Sequence, residues 1–347
     1  MVGVVIDGVP SGEQIDTQQI KQELKYRRPG QSDVTTDRDE KDELIIESGI
    51  LNERTTGEPL VAYVRNKDID SSYYDEIKNT PRPGHADYPA FVKYKGANDY
   101  RGGGRFSGRM TVGLVIAGNI AKQILFKSGI KFVAYSKEIG EISGSEEKYN
   151  LQESFIYSDA NPVRVADPDI IMPVQTKIVS MKDEGDSVGG IVECQITGLQ
   201  VGLGEPFFDS IESRIAHMIF SIPAVKGIEF GSGFNAARMQ GSQHNDQYYV
   251  DPQGVIKTKT NNAGGILGGL SNGMPVVFRV AFKPTSSVSK DQTTVNTETM
   301  QESHLKVRGR HDPCIVPRAV PVVNNAAACV LLDLVLEGKK TDLEGVN

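Results

Sequence analysis

Tryptophan is absent from these 347 residues and cysteine occurs three times, as Cys194, Cys314 and Cys329. An odd number of cysteines with no CxxC pair excludes a disulfide framework and the usual structural zinc spacings, and fits a reducing compartment. A basic excess is also missing. Against 45 Asp+Glu stand 38 Lys+Arg, a formal net charge of -7, where bulk nucleic-acid binding calls for a positive footprint. No apolar run is read as long enough to span a membrane. The start, Met1–Val2–Gly3–Val4–Val5–Ile6–Asp7, has neither the basic flank nor the cleavage site of a secretion signal, and is too short and acidic for a transit peptide. A cytoplasmic protein is expected, with no nucleic-acid and no membrane partner. Several motifs are lacking as well. Gly102 and Gly104 are followed by Ser107 where GxGxxG needs glycine, GxxxxGK[ST] does not occur, and the five histidines form no HExxH. Two strings fit GxSxG, Gly185–Gly189 and Gly269–Gly273, but both follow loop-like sequence and lead into predicted strands, where a nucleophile elbow needs strand, serine, helix. Dinucleotide-binding dehydrogenases, P-loop NTPases, common zinc hydrolases and α/β-hydrolases are thereby disfavoured.

Glycine is abundant. Thirty-six residues are glycine, roughly one in ten against a usual ~7%, and they cluster where a backbone must turn or approach a ligand. Hydrophobic residues make up 38%, enough for a core. Val2–Ile6 reads as a buried, interior strand. Asp16 can cap a short helix carrying Ile20 and Leu24. Residues 43–50 and 60–64 read as strands joined by the Thr56–Pro59 turn. A helix is expected over 111–126, with Val112, Val115, Ile116 and Ile120 on its apolar face. Further expectations are a strand near 191–196, a helix over 210–221, a strand over 276–282 and a last helix over 320–337. The polar stretches 143–150 and 286–300 read as loops. Without repeats, linker or composition break, the pattern favours one mixed domain of helices and strands.

Three clusters carry chemistry. In Arg82–Pro83–Gly84–His85–Ala86–Asp87–Tyr88 a tight turn presents a histidine beside a carboxylate, either a solvated loop or a proton donor. Arg101–Gly102–Gly103–Gly104–Arg105–Phe106–Ser107–Gly108–Arg109 runs into a helix. Bare backbone, a helix N-terminus and several guanidinium forks describe an anion site, unless the segment is a solvated basic loop. Arg308–Gly309–Arg310–His311–Asp312 and the residues to Arg318 pack cations, an imidazole and a carboxylate ahead of an apolar helix, where a charged connecting loop is the plainer reading.

The strings "RPGHADY", "YRGGGRFSGR", "AGNIAKQIL" and "GRHDPCIVPRAVPV" closely resemble the characteristic segments of the chorismate synthase family, in order and at the family's separations. So do "VIDGVPSG", "RRPGQS", "TTGEP", "IPAVKGIEFGSGF", "NNAGGILGG" and "KPTSS", and the resemblance runs from Gly3 to about Leu336. It implies an α+β fold, a single-domain β-α-β sandwich over 1–347, and a homotetramer. The implied activity is that of a lyase converting 5-enolpyruvylshikimate 3-phosphate to chorismate and phosphate by anti 1,4-elimination. Reduced FMN is the implied cofactor, and the shikimate pathway of aromatic amino acid biosynthesis the implied setting. With no added NADP-type nicotinamide-binding domain, an external source of reduced flavin is expected. No metal is implied.

Carried over residue by residue, the resemblance gives His85 and Asp312 catalytic roles. His85 matches the histidine that protonates the reduced flavin, and Asp312 the acid that helps remove the flavin N5 proton. FMN contacts fall on Arg105, Phe106, Ser107, Pro223, Ala224, Gly268, Lys283, Pro284, Thr285, Ser286, Ser287 and Arg310. Substrate contacts fall on Arg27, Arg82, Arg105, Arg109 and Arg310. The chain departs from the family at Phe106, which replaces a small residue, at Met110, where many members have glutamate, and at Asp33, where many bacterial members have arginine. Arg28 or Arg38 is expected to compensate for the last. The family's GESHG segment, bearing a serine and a second histidine, is not in this sequence. The printed chain is therefore expected to be shortened at its N-terminus and nearly inactive until that segment is restored. The alternative reading is an impaired or non-catalytic flavin-binding homologue. An arginine-rich RNA-binding protein is disfavoured by the net charge and by the lack of aromatic-rich basic motifs.

Overall fold

Two antiparallel sheets with helices between them are seen in a computed structural model that describes residues 1–30, 34–36, 40–66, 72–145, 149–309 and 311–344. The larger sheet is built from residues that alternate in character. Val192, Cys194 and Ile196 on Gly190–Thr197, and Val276, Phe278, Val280 and Phe282 on Val276–Phe282, all point to the buried face. Its strand order is Ile142–Ser143, Lys131–Ile139, Gly190–Thr197, Val276–Phe282, Val225–Phe230, antiparallel throughout. The other face carries a cross-strand polar row: Tyr135 opposite Glu193, Glu193 opposite Arg279, Arg279 opposite Glu229. The Tyr135 hydroxyl donates to Glu193, and Arg279 Nε lies 3.4 Å from the Glu229 carboxylate.

The smaller sheet runs Val2–Ile6, Leu60–Val64, Leu44–Ser48. Here the structure corrects one expectation. Val2–Ile6 is a strand, but among the described residues it pairs only with Leu60–Val64, and Val5 on its outer face is 68% exposed. Val2, Val4 and Ile6 alone turn inward, so the strand is an edge rather than an interior one. The two strands expected around residues 43–64 pair as foreseen, with a small hairpin, Ile50–Leu51 with Arg54–Thr55, between them.

The helix Thr111–Phe126, hereafter the central helix, packs against Val2–Ile6, Leu60–Val64 and Lys131–Ile139. It also crosses the C-terminal helix, Val316–Glu344, which in turn covers Lys131–Ile139 and Gly190–Thr197. Thr17–Arg27 and Ile211–Ile219 complete the middle layer, capped by Asp16 and Ser210. At the helix crossing Gly118 lies against the main chain of Asn325, where a Cβ would come within 2.1 Å of the Asn325 carbonyl oxygen. The layering is therefore sheet, helices, sheet, an α+β arrangement.

Two other expectations change. Residues 286–300 include a strand, Gln292–Asn296, paired with Gln301–Leu305; its polar, threonine-rich sequence hid it. The last helix starts a turn earlier than expected, and its Val316–Gly338 stretch is long and apolar enough to cross a membrane, contrary to the sequence reading. Of its most apolar window, 67% is buried inside the protein, where it serves as a core helix.

Candidate functional site

The Pro83–Gly84 turn folds the chain back so that Asp87, at the start of the helix Asp87–Lys93, returns to Arg82. Asp87 Oδ2 accepts from Arg82 N (3.0 Å) and Nε (2.7 Å), and Oδ1 from Arg82 Nη2 (2.9 Å). His85 Nδ1 lies 2.5 Å from Asp87 Oδ1. Burial opposes ionisation of Asp87, yet the hydrogen bonds and charges of Arg82 and His85 hold its carboxyl well below the usual range. An ionised carboxylate can only accept, so Nδ1 carries the hydrogen toward Asp87, and Nε2, with Arg82 Nη2 at 3.3 Å, faces the site as an acceptor. Nε2 looks toward Gly103, whose φ is +78° and whose Cβ, if present, would stand 3.6 Å from that nitrogen and 3.8 Å from Ser107 Cβ. The glycine cluster thus keeps a gap open between His85 and Ser107.

The exit of the Val276–Phe282 strand meets the same turn. Lys283 Nζ donates to the Gly84 carbonyl, and Arg82 Nη1 donates to Ser287 Oγ (3.3 Å). Burial, with Lys226 nearby, lowers the Lys283 ammonium from its ordinary value. Lys283 N donates to the carbonyl of Ala224 (3.0 Å), a non-glycine residue held at φ +72° beside Pro223. Ser187 Oγ donates to the Thr285 carbonyl (2.7 Å), and Val188 N to the Pro313 carbonyl (2.9 Å), so this segment is stitched to the Asp312 loop. Ser187, the serine of a GxSxG string, is therefore a tie that leads into the strand Gly190–Thr197.

Beyond Ser107 lies a buried knot of opposite charges. Arg27 donates from Nε to Thr111 Oγ1 (3.1 Å) and pairs through Nη1 with Asp42 (2.9 Å). Arg109 pairs with the same Asp42, donates from Nε to Asn66 (3.1 Å), and has Glu40 at 3.7 Å. Asp312 takes the Thr36 N–H on Oδ1 (3.2 Å) and Arg318 on Oδ2, while Arg318 Nε donates to the Arg27 carbonyl (2.9 Å). Burial, with Arg318 and Arg109 adjacent, pushes Arg27 down to about 9 although Asp42 and Asp312 oppose it. Among the described residues Arg109 Nη2 and Thr285 Oγ1 are buried with no hydrogen-bond partner, although Nη2 is the nitrogen 3.7 Å from Glu40. Such atoms are costly unless a ligand satisfies them, and a phosphate-bearing cofactor or substrate supplies acceptors of the right kind.

Most sequence-assigned residues come together here: Arg27, Arg82, His85, Ser107, Arg109, Ala224, Asp312 and the Lys283–Ser287 run, with Pro223 and Pro284 adjoining. Arg105 and Phe106 stand at the rim; Arg105 donates to the Tyr94 hydroxyl (3.1 Å) and Phe106 is 37% exposed. Gly268 stands apart. It turns the hairpin of Ile266–Leu267 with Leu270–Ser271, and neighbouring Gly265 adjoins Pro275 and Val276 at the start of the strand that Lys283 follows. Seven strand residues at ~3.3 Å each separate the two ends by about 20 Å. Arg310, Asp33 and Arg38 lie outside the described residues. Sequence reasoning noted Asp87 and Arg318 within their clusters without giving either a role, and missed Asp42. Asp87 and Arg318 sat inside quoted motifs, whereas nothing local marks Asp42, which is reached only by folding and held at φ +47°.

The chain matches the family model described as chorismate synthase over residues 1–336. It is 49% identical over 340 residues to the chorismate synthase of Korarchaeum cryptofilum, covering 98% of this chain and 93% of that protein. To the chorismate synthase of Pyrococcus abyssi it is 50% identical over 335 residues, covering 96% and 92%. A crystal structure of chorismate synthase superposes with a TM-score of 0.75 at 28% identity, covering 96% of this chain and 87% of that one.

Proposed function

This chain belongs to the chorismate synthase family, and on that premise we propose that it eliminates phosphate and a ring proton from 5-enolpyruvylshikimate 3-phosphate in the presence of reduced FMN. The observation that carries the proposal is the buried meeting of Arg27 and Arg109 with Asp312 on one side of Ser107 and His85 on the other, with Arg109 Nη2 lacking a hydrogen bond among the described residues. Arg27 and Arg109 hold the substrate's phosphate and carboxylates, since guanidinium forks match such anions. Their fixed positive charge also stabilises the departing phosphate in a site where little water screens it. Asp312 is the proton acceptor and His85 the proton donor. Lys283 to Ser287 and Arg82 hold the flavin phosphate and ribityl side. Reduced FMN, when bound, supplies the electrons that ease the carbon–oxygen cleavage and regains them, so no net redox change results. A contact from Gly268 to the same cofactor requires a second copy of the chain, which accords with the proposed homotetramer. The reduced flavin comes from outside the chain, and the product enters aromatic amino acid biosynthesis.

Anaerobic titration with reduced FMN tests the cofactor half of the proposal. Folded protein that fails to bind at high micromolar flavin removes it. Turnover is measured with reduced FMN in excess. His85→Ala and Asp312→Asn should lower kcat by about 10²–10⁴-fold with flavin binding kept, while Arg109→Ala should chiefly raise the substrate KM. Normal turnover by both proton-transfer variants would overturn the roles given to them.

A further inference from the structure

We infer that Arg318 is a positioning residue for the Asp312 carboxylate, fixing the direction of its free lone pairs and tying it to the main chain that carries Arg27. The catalytic consequence rests on the proposed role of Asp312; the positioning itself rests on geometry alone.

Among the described residues each Asp312 oxygen has one donor, and the two come from different segments. Oδ1 takes the Thr36 N–H (3.2 Å) and Oδ2 takes Arg318 Nη1. Both side chains of the ion pair are largely buried, 16% exposed for Arg318 and 12% for Asp312. The remaining lone pairs therefore point in directions set by the pair. Arg318 is itself fixed. It lies in the first turn of the C-terminal helix, its N–H bonds the Ile315 carbonyl (3.1 Å), and the Pro313 carbonyl of the preceding loop is pinned by Val188 N. Its Nε donates to the Arg27 carbonyl (2.9 Å). One planar guanidinium thus bridges two acceptors at a set angle, the proton acceptor on one arm and the substrate-binding arginine's backbone on the other. A lysine ammonium, a point charge on a flexible stem, cannot span both with the same geometry.

The charges around this pair come from several elements. On the site side stand Arg27, Arg109, Glu40 and Asp42. On the far side Arg318 borders a cavity of about 260 Å³, into which Lys25, Asp159 and Arg164 also face. Removing Arg318 leaves Asp312 with the Thr36 amide, opens its Oδ2 to water and frees the carboxylate to turn. A misplacement on the scale of 1 Å can lower a rate about 10²-fold, which is the expected scale.

The test reads the carboxylate directly. Isotope-edited infrared difference spectra between the flavin-free parent and its Asp312→Asn variant isolate the Asp312 stretching bands. Arg318→Gln should move those bands toward the position of a hydrated carboxylate, and Arg318→Lys should leave them between the two. In turnover assays, Arg318→Gln should lower kcat roughly 10²-fold with the substrate KM little changed, and Arg318→Lys should recover part of that loss. Bands unmoved in both variants overturn the inference, as does a raised KM with kcat intact, which would make Arg318 a substrate ligand. Should Arg318→Gln not fold, Arg318→Lys alone decides: unmoved bands and unchanged kcat overturn it. Normal turnover by Asp312→Asn would sink the role of Asp312 instead, while the infrared result would still decide the positioning.

Discussion

Replacing Asp87 by asparagine keeps the side-chain shape and removes the charge on which the Arg82–His85 turn is organised. Asp87 accepts three hydrogen bonds from Arg82 and one from His85. Arg82 is only 5% exposed in its side chain, so Asp87→Asn leaves a buried guanidinium without its counter-charge. Breaking a buried pair in this way costs about 3–5 kcal/mol. Asp87 is 25% exposed, and water screens the loss, which puts the expectation near 3 kcal/mol. With an unfolding entropy of about 2.1 cal/mol/K per residue, that lowers Tm by roughly 4 °C in a chain of this length. The pH dependence has a definite sign. Asp87's folded carboxyl is held below its ordinary 3.8, so its contribution is fully present above that value and is lost as pH falls through the folded one. The gap between parent and variant should therefore be constant from neutral pH down to about 5 and begin to narrow below about 4. Calorimetric melts at pH 7, 5 and 3.5 measure it. The double variant Arg82→Gln/Asp87→Asn should recover part of the loss, because the orphaned cation is gone. An unchanged Tm at pH 7, or a gap that widens on acidification, would refute the reasoning.

Gly103→Ala should lower turnover with little loss of fold: a left-handed φ costs about 1–3 kcal/mol, and the new Cβ fills the gap beside His85 Nε2, which steady-state kinetics with a thermal melt would separate. Gly118→Ala should destabilise strongly, by more than the roughly 1–3 kcal/mol usual for overpacking, because its Cβ meets the Asn325 carbonyl at 2.1 Å; urea unfolding checks this.

The middle layer was legible where periodicity is strong. Val112, Val115, Ile116 and Ile120 mark one face of a helix, and all four are buried in the central helix. Edge and interior strands cannot be told apart in this way. Val2–Ile6 has the composition of an interior strand, but whether a strand has one neighbour or two is decided by segments sixty residues away. The Gln292–Leu305 hairpin escaped for the opposite reason. Its exposed positions outnumber its buried ones, so the alternation that betrays a strand is nearly all polar.

The site divides along the same line. Arginines, glycines and His85 fall in short runs whose chemistry can be read locally, whereas the carboxylates that hold them are mostly recruited from elsewhere. Asp42 reaches Arg109 across 67 residues, and Thr36 reaches Asp312 across 276. Their effect is to orient each guanidinium before any ligand arrives. A free arginine would lose about 2 kcal/mol of side-chain freedom on binding an anion. Here that ordering is completed during folding, and what remains is a buried Arg109 Nη2 that has Glu40 at 3.7 Å but no hydrogen bond among the described residues. An anion that fills the pocket satisfies that nitrogen and relieves the crowding of Arg27 by Arg318 and Arg109 at once. The carboxylates thus do not compete with the substrate for the arginines; they set the direction from which it must bind.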